Sequence, residues 1–156
     1  DLVSLSDLIV NPIHLIEEIR FFSDPISFYK SSDIIVNLKR SSLEDLELGF
    51  SCYKNNNIVF LPNLPWARRV HGILANFLAN KDKTKPLAVL VDIDEDNYLV
   101  SVRAPLNQPL GAGDLCRLFH SGGGRASAGG INRLHKNYFE KFKEAFSKKW
   151  AVGLGQ

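Results

Sequence analysis

The chain has 156 residues, 45% hydrophobic and 23% charged, with a formal net charge of +2. That composition is ordinary for one globular core plus a helical extension, and the charge is too small to argue for nucleic acid by itself. Cys52 and Cys116 have no C-x-x-C partner, no apolar run approaches the length of a membrane span and no secretory leader opens the chain, so a reducing cytoplasmic compartment with no membrane partner is expected.

Residues 1–50 read as helices joined by short breaks. Asn11-Pro12 predicts an N-cap with Pro in the first turn, after which Ile13, Ile16 and Ile19 keep helical spacing until Asp24-Pro25 stops the run. Ser41-x-x-Glu44 is a capping-box pattern leading into Leu43, Leu46 and Phe50. Both apolar sets are expected to be core faces.

From residue 58 the pattern alternates. Ile58 to Leu61 predicts a strand, and Pro65 opens a helix that carries Trp66, Val70, Leu74 and Phe77 and ends near Asn80 and Lys81. Leu87 to Ile93 and Tyr98 to Ala104 predict two strands of a hairpin, turned by Asp94-Glu-Asp-Asn97. A short amphipathic run follows from Asp114 to His120. At the end, Asn137-x-x-Glu140 resembles a cap, and Phe139, Phe142, Phe146 and Trp150 predict one buried side of a helix. The fold class expected is α/β, a mixed central sheet of about four or five strands with flanking helices, preceded by a helical segment.

The most informative stretch is Gly122-Gly-Gly-Arg-Ala-Ser-Ala-Gly-Gly130. Glycines around one Arg predict a bare loop able to bring backbone N–H groups against an oxyanion. It is not a P-loop, which needs Gly-Lys-Ser/Thr, and Gly111-Ala-Gly113-Asp-Leu-Cys116 lacks the third glycine of a dinucleotide turn. Side-chain alternation places Arg103 on a face with Leu99 and Ser101, where it could converge with Arg125 on one anion; an exposed edge-strand Arg is the plainer alternative. Asp92-x-Asp94-x-Asp96 departs from a calcium loop at Asn97 and Arg103, and reads better as an acidic turn. His14, His71, His120 and His135 show no metal-ligand spacing. Between Arg133 and Lys149 six Lys/Arg stand against two Glu, either a nucleic-acid track or a solvated helix face.

Asn76 to Lys85 leading into Leu87 to Ile93, then Tyr98-Leu-Val-Ser-Val-Arg-Ala104, Gly111 to His120 and Gly122 to Gly130, together resemble the C-terminal DHH-associated domain of the DHH phosphoesterases. That superfamily includes RecJ-like exonucleases, oligoribonucleases and cyclic dinucleotide phosphodiesterases. The resemblance covers roughly residues 58–150 and implies a substrate-binding domain over 51–156, with 1–50 as a helical connection from a catalytic domain lying upstream. The absence of Met and the start at Asp1 lead us to expect a fragment or a processed product. The upstream domain would carry the Asp-His-His motif and two metal ions, usually manganese, so no catalytic residue and no metal ligand is expected in this chain.

By the same resemblance, Gly122, Gly123 and Gly124 match the phosphate-facing loop and Arg103 the strand Arg, and Arg125 stands where the family usually has His. Ser127 completes the candidate set. An Arg there can clamp a phosphate with its planar fork, but cannot shuttle protons near neutrality. The implied partner is a phosphate-bearing substrate: single-stranded nucleic acid, an oligonucleotide, a cyclic dinucleotide or another phosphoester. The Gly-Gly-Gly-Arg loop also resembles that of the tRNA-binding C-terminal domain of alanyl-tRNA synthetases. A non-catalytic nucleotide-binding domain is the third alternative.

Overall fold

The computed structural model describes residues 4–151. After a short 3-10 turn at Leu5–Asp7 come α1 (Pro12–Ile19), α2 (Pro25–Ser31) and α3 (Asp33–Ser51). The remainder runs β1 (Ile58–Leu61), α4 (Pro65–Lys81), β2 (Leu87–Asp92), β3 (Asn97–Arg103), α5 (Ala112–Arg117), β4 (Gly122–Gly124), β5 (Ala128–His135) and α6 (Phe139–Trp150). The five strands form one mixed sheet in the order β1-β2-β3-β5-β4. β1 and β2 are parallel and use α4 as their crossover; every other pairing is antiparallel. The expected α/β class, with helices ahead of the sheet, is what the chain adopts.

Strand alternation divides the core between the two faces of the sheet. Val89, Val91 and Leu99 join Val59, Leu61 and the Val70, Leu74 and Leu78 side of α4. Ala88, Leu90, Val100 and Val102 face the other way, against α5 and the Phe142 and Phe146 side of α6. The turn between β2 and β3 is fixed by Asp94, whose carboxylate accepts from the Asp96 N–H at 3.0 Å and from Asn97 Nδ2 at 2.9 Å. Those bonds, with Arg133 nearby, hold its carboxyl below the ordinary aspartate range. This is a turn-forming role for the acidic cluster. Among the described residues no three His, Cys, Asp or Glu converge as a metal site, and no helix is long and apolar enough to cross a membrane.

The N-terminal helices depart from expectation in four ways. Asn11 does cap α1, its side chain accepting from the Ile13 N–H at 2.8 Å. The apolar stripe that follows is not core: Ile13, Ile16 and Ile19 are 64%, 54% and 45% exposed. Leu43 and Phe50 are exposed too, and only Leu46 packs against the α4 side of the core. Asp24-Pro25 starts a helix instead of stopping one, because Asp24 accepts the N–H groups of Ile26 and Ser27 as the N-cap of α2. Ser41 caps nothing, since α3 already runs unbroken from Asp33 and its amide is inside the helix. At the other end, α6 starts at Phe139 behind a 3-10 turn, and it is the His135 side chain that accepts the Asn137 N–H.

α3 is joined to the sheet domain through α4. Gly49 packs so closely that a Cβ there would lie 3.1 Å from Leu74 Cδ2. Two adjacent arginines of α4 make forked pairs, Arg69 with Asp45 at 2.7 and 2.8 Å, and Arg68 with Asp7 at 2.9 and 2.7 Å. Such bidentate pairs fix orientation as well as charge.

Candidate functional site

The glycine stretch is a hairpin, not a bare loop. β4 pairs with β5 through Gly122↔Ile131, Gly123↔Gly130 and Gly124↔Gly129, and the Arg125 N–H donates to the Ala128 carbonyl at 2.8 Å across the tip. Several of its polar backbone groups are therefore committed inward: Gly122 N–H to Phe119, and the Arg125, Ala126 and Ser127 carbonyls to the N–H groups of Gly113, Ala112 and Ala104.

Most of the glycines answer to packing. A Cβ on Gly122 would sit 1.8 Å from the Cys116 carbonyl, and one on Gly129 would sit 2.7 Å from the Ala112 carbonyl and the Cys116 sulfur. α5 thus lies backbone to backbone on the hairpin. Gly124 has φ +139° and would also strike Ala128 and Gly129, so the left-handed requirement falls on Gly124 and not on Gly123. Gly123 is different, with nothing within 4 Å of a Cβ built there.

Register explains that opening. Paired residues share a face, so Arg103 with Ala128, Ser101 with Gly130, and Gly130 with Gly123 all lie on the α4 side of the sheet. α4 packs on β2 and β3, shares a buried cluster with Val59 and Leu61 of β1, and makes no comparable contact with β5 or β4. The result is an open cleft of about 190 Å³ lined by Ser101, Arg103, Gly124, Arg125, Ala128, Gly129 and Gly130. Its floor is small residues, and its two cations come from the end of β3 and from the β4–β5 turn.

Arg103 is not an edge-strand residue, because β3 is the middle strand of the five. It is half-buried, and neutral acceptors hold it: Nε donates to Asn76 Oδ1 at 2.7 Å, while its terminal nitrogens donate to the carbonyls of Val102 at 3.0 Å and Gly72 at 3.3 Å. Burial first, and the Arg125 charge second, push it below the ordinary guanidinium range. It remains a cation. Arg125 is exposed, and neither guanidinium forms an ion pair with a carboxylate among the described residues. Two unneutralised like charges over a small-residue floor favour an anion chemically.

Of the residues singled out from sequence, Arg103, Gly124 and Arg125 meet in the cleft. Gly123 lies on the same face beside it, Gly122 faces α5, and Ser127 sits on the hairpin tip, its carbonyl bound to Ala104. Asn76 and Gly72 were not foreseen, being 27 and 31 residues from the Arg they orient. The alternation pattern had already put Ser101 on the face of Arg103. Cys116, next to the hairpin, is buried, and burial pushes its thiol up to about 12, so it offers no thiolate nucleophile.

No family model matches the chain, and no curated protein matches it in sequence. Its fold is similar to that of a solved structure, the pGpG-specific phosphodiesterase PggH from Vibrio cholerae, at a TM-score of 0.56 and 13% sequence identity. The match covers 93% of this chain and 52% of that one, so the chain spans about half the length of that structure. At this identity the likeness is one of fold.

Proposed function

We propose that this chain is the substrate-binding lobe of a metal-dependent DHH-family phosphoesterase, holding a phosphate of a nucleotide or single-stranded nucleic acid. The observation that carries the reading is the placement of Arg103 and Arg125 on one glycine-floored cleft without a carboxylate partner. The fold shared with a dinucleotide phosphodiesterase supports it. The cleft is open where a phosphate would approach Gly123, and a phosphate oxygen pair suits the fork of Arg125. In this reading hydrolysis belongs to a further domain upstream, which would hold the manganese ions. The exposed Ile13, Ile16 and Ile19 stripe fits a surface that such a domain would cover.

The test is titration of a 5′-phosphorylated dinucleotide against the chain and its Arg125→Ala variant. Loss of roughly 1.5–3 kcal/mol with unchanged folding is expected, the scale of a charged hydrogen bond. Equal affinities would show Arg125 to be only a surface charge. With manganese, the 156-residue chain should leave a phosphodiester intact, whereas a longer polypeptide with the upstream domain should cleave it. Hydrolysis by the chain itself would overturn this division of labour.

A further inference from the structure

A second cavity, of about 440 Å³, opens at the other end of the β3–β5 pair. It is lined by Asn97 of β3, Leu118, Phe119 and His120 after α5, Arg133, Leu134 and His135 of β5, Tyr138 of the 3-10 turn before α6, and Lys141 of α6. Asn97 and Arg103 stand at opposite ends of β3, roughly 20 Å apart at ~3.3 Å per residue. Phe119 and Leu134 also belong to the α6 side of the core, the reverse of the face that carries the cleft. One small phosphoester cannot bridge the two.

The lining contains no acidic residue. Arg133 is engaged by Asp94, whereas Lys141 forms no ion pair among the described residues and supplies a free ammonium. Planar groups line the same cavity: the His135 and Tyr138 rings meet edge to face at 6.4 Å, and Tyr138 is 55% exposed, its hydroxyl without a hydrogen-bond partner among the described residues. His135 Nδ1 accepts the Asn137 N–H at 3.2 Å, so the neutral ring keeps its proton on Nε2 and can donate from there. Asn97 gives its Nδ2 to Asp94 and retains its side-chain oxygen as an acceptor. An unpaired cation, two aromatic surfaces and one amide acceptor match a ligand with an anionic group on one side and a flat, hydrogen-bonding ring on the other.

The geometry points to a second ligand site here, for a nucleoside monophosphate, its phosphate on Lys141 and His135 and its base against Tyr138 and Phe119. It is independent of the Arg103–Arg125 cleft and does not rest on what that cleft binds. The probe is adenosine 5′-monophosphate titrated into the full chain and followed by amide chemical shifts. Shifts centred on residues 118–120 and 133–141, with affinity lowered about tenfold or more in Lys141→Ala and in Tyr138→Ala, are expected. Any shifts at residues 101–103 and 123–130, which report the cleft, should persist in both cavity variants. Adenosine and inorganic phosphate, each carrying half of the recognition, should bind more weakly than the nucleotide. Shifts confined to 101–103 and 123–130, affinity unaltered in both cavity variants, or no binding at all would overturn the assignment.

Discussion

The side-chain oxygen of Asn76 accepts the Nε–H of Arg103 at 2.7 Å, so α4 aims the half-buried cation of the cleft without neutralising it. A carboxylate would orient the guanidinium equally well and cancel its charge. Asn76→Ala should therefore weaken phosphate-ligand binding modestly, by about 1 kcal/mol, while Asn76→Asp should weaken it further although it keeps the hydrogen bond. Calorimetric titration of the three proteins separates position from charge. Equal affinity in the Asp variant would mean that Arg103 does not meet the anion.

Gly122 and Gly123 are neighbours with opposite duties. A methyl on Gly122 collides with the Cys116 carbonyl at 1.8 Å, and backbone must move to relieve it. We expect Gly122→Ala to destabilise the fold by roughly 1–3 kcal/mol, the cost of overpacking. Gly123→Ala meets open space, so stability should stay within about 0.5 kcal/mol while ligand affinity falls. Urea melts and a phosphate-ligand titration on both variants provide the check, and a stable Gly122→Ala would undo the packing account.

This contrast also shows what the sequence could and could not disclose. Local patterning located β1, α4, the β2–β3 hairpin and the buried face of α6, since each is fixed by the period of its own apolar residues. The glycine run, however, looks alike at every position. Only pairing with β5 and the approach of α5 separate glycines needed for packing from the one left open. Asn76 was invisible for a similar reason, as its role depends on how α4 crosses β3. The exposed isoleucines of α1 misled in the opposite direction: helical spacing shows that a stripe is apolar, not what covers it.

Asp7 is 1% exposed and takes the fork of Arg68, so it ties the N-terminal turn to α4. The Arg68 hydrogen bonds, opposed by burial, hold its carboxyl below the ordinary aspartate range. Because the folded value is the lower one, the stabilisation is complete above the unfolded value of roughly 3.9 and disappears as pH falls through the folded value. Asp7→Asn should thus be less stable than the parent by about 2–3 kcal/mol near neutrality, with a difference constant down to about pH 5 that closes in stronger acid. Denaturant midpoints measured across that range test this. A difference that persisted undiminished at the lowest pH would show that the carboxylate charge is not what Arg68 holds.

The basic stretch from residue 133 to 149 is largely neutralised within the fold. Arg133 pairs with Asp94, Lys136 with Asp92 at 2.7 Å, and Lys143 and Lys149 approach Glu140 and Asp114 at 3.9 Å. Lys136 is held firmly enough that its bond to Asp92 pushes its ammonium above the ordinary lysine range. Lys141 and Lys148 remain without a carboxylate partner among the described residues. For a single strand each phosphate contact contributes about 0.7 to the log–log salt slope, so two free lysines give a slope near −1.4, where six engaged cations would give about −4. The shallow value is expected as the contribution of this stretch when a single-stranded oligonucleotide is titrated at several ionic strengths, because its other four cations stay engaged within the fold. A slope near −4 would mean that the strand displaces the internal pairs and tracks α6, favouring a polynucleotide-binding module over the lobe of a small-substrate phosphoesterase.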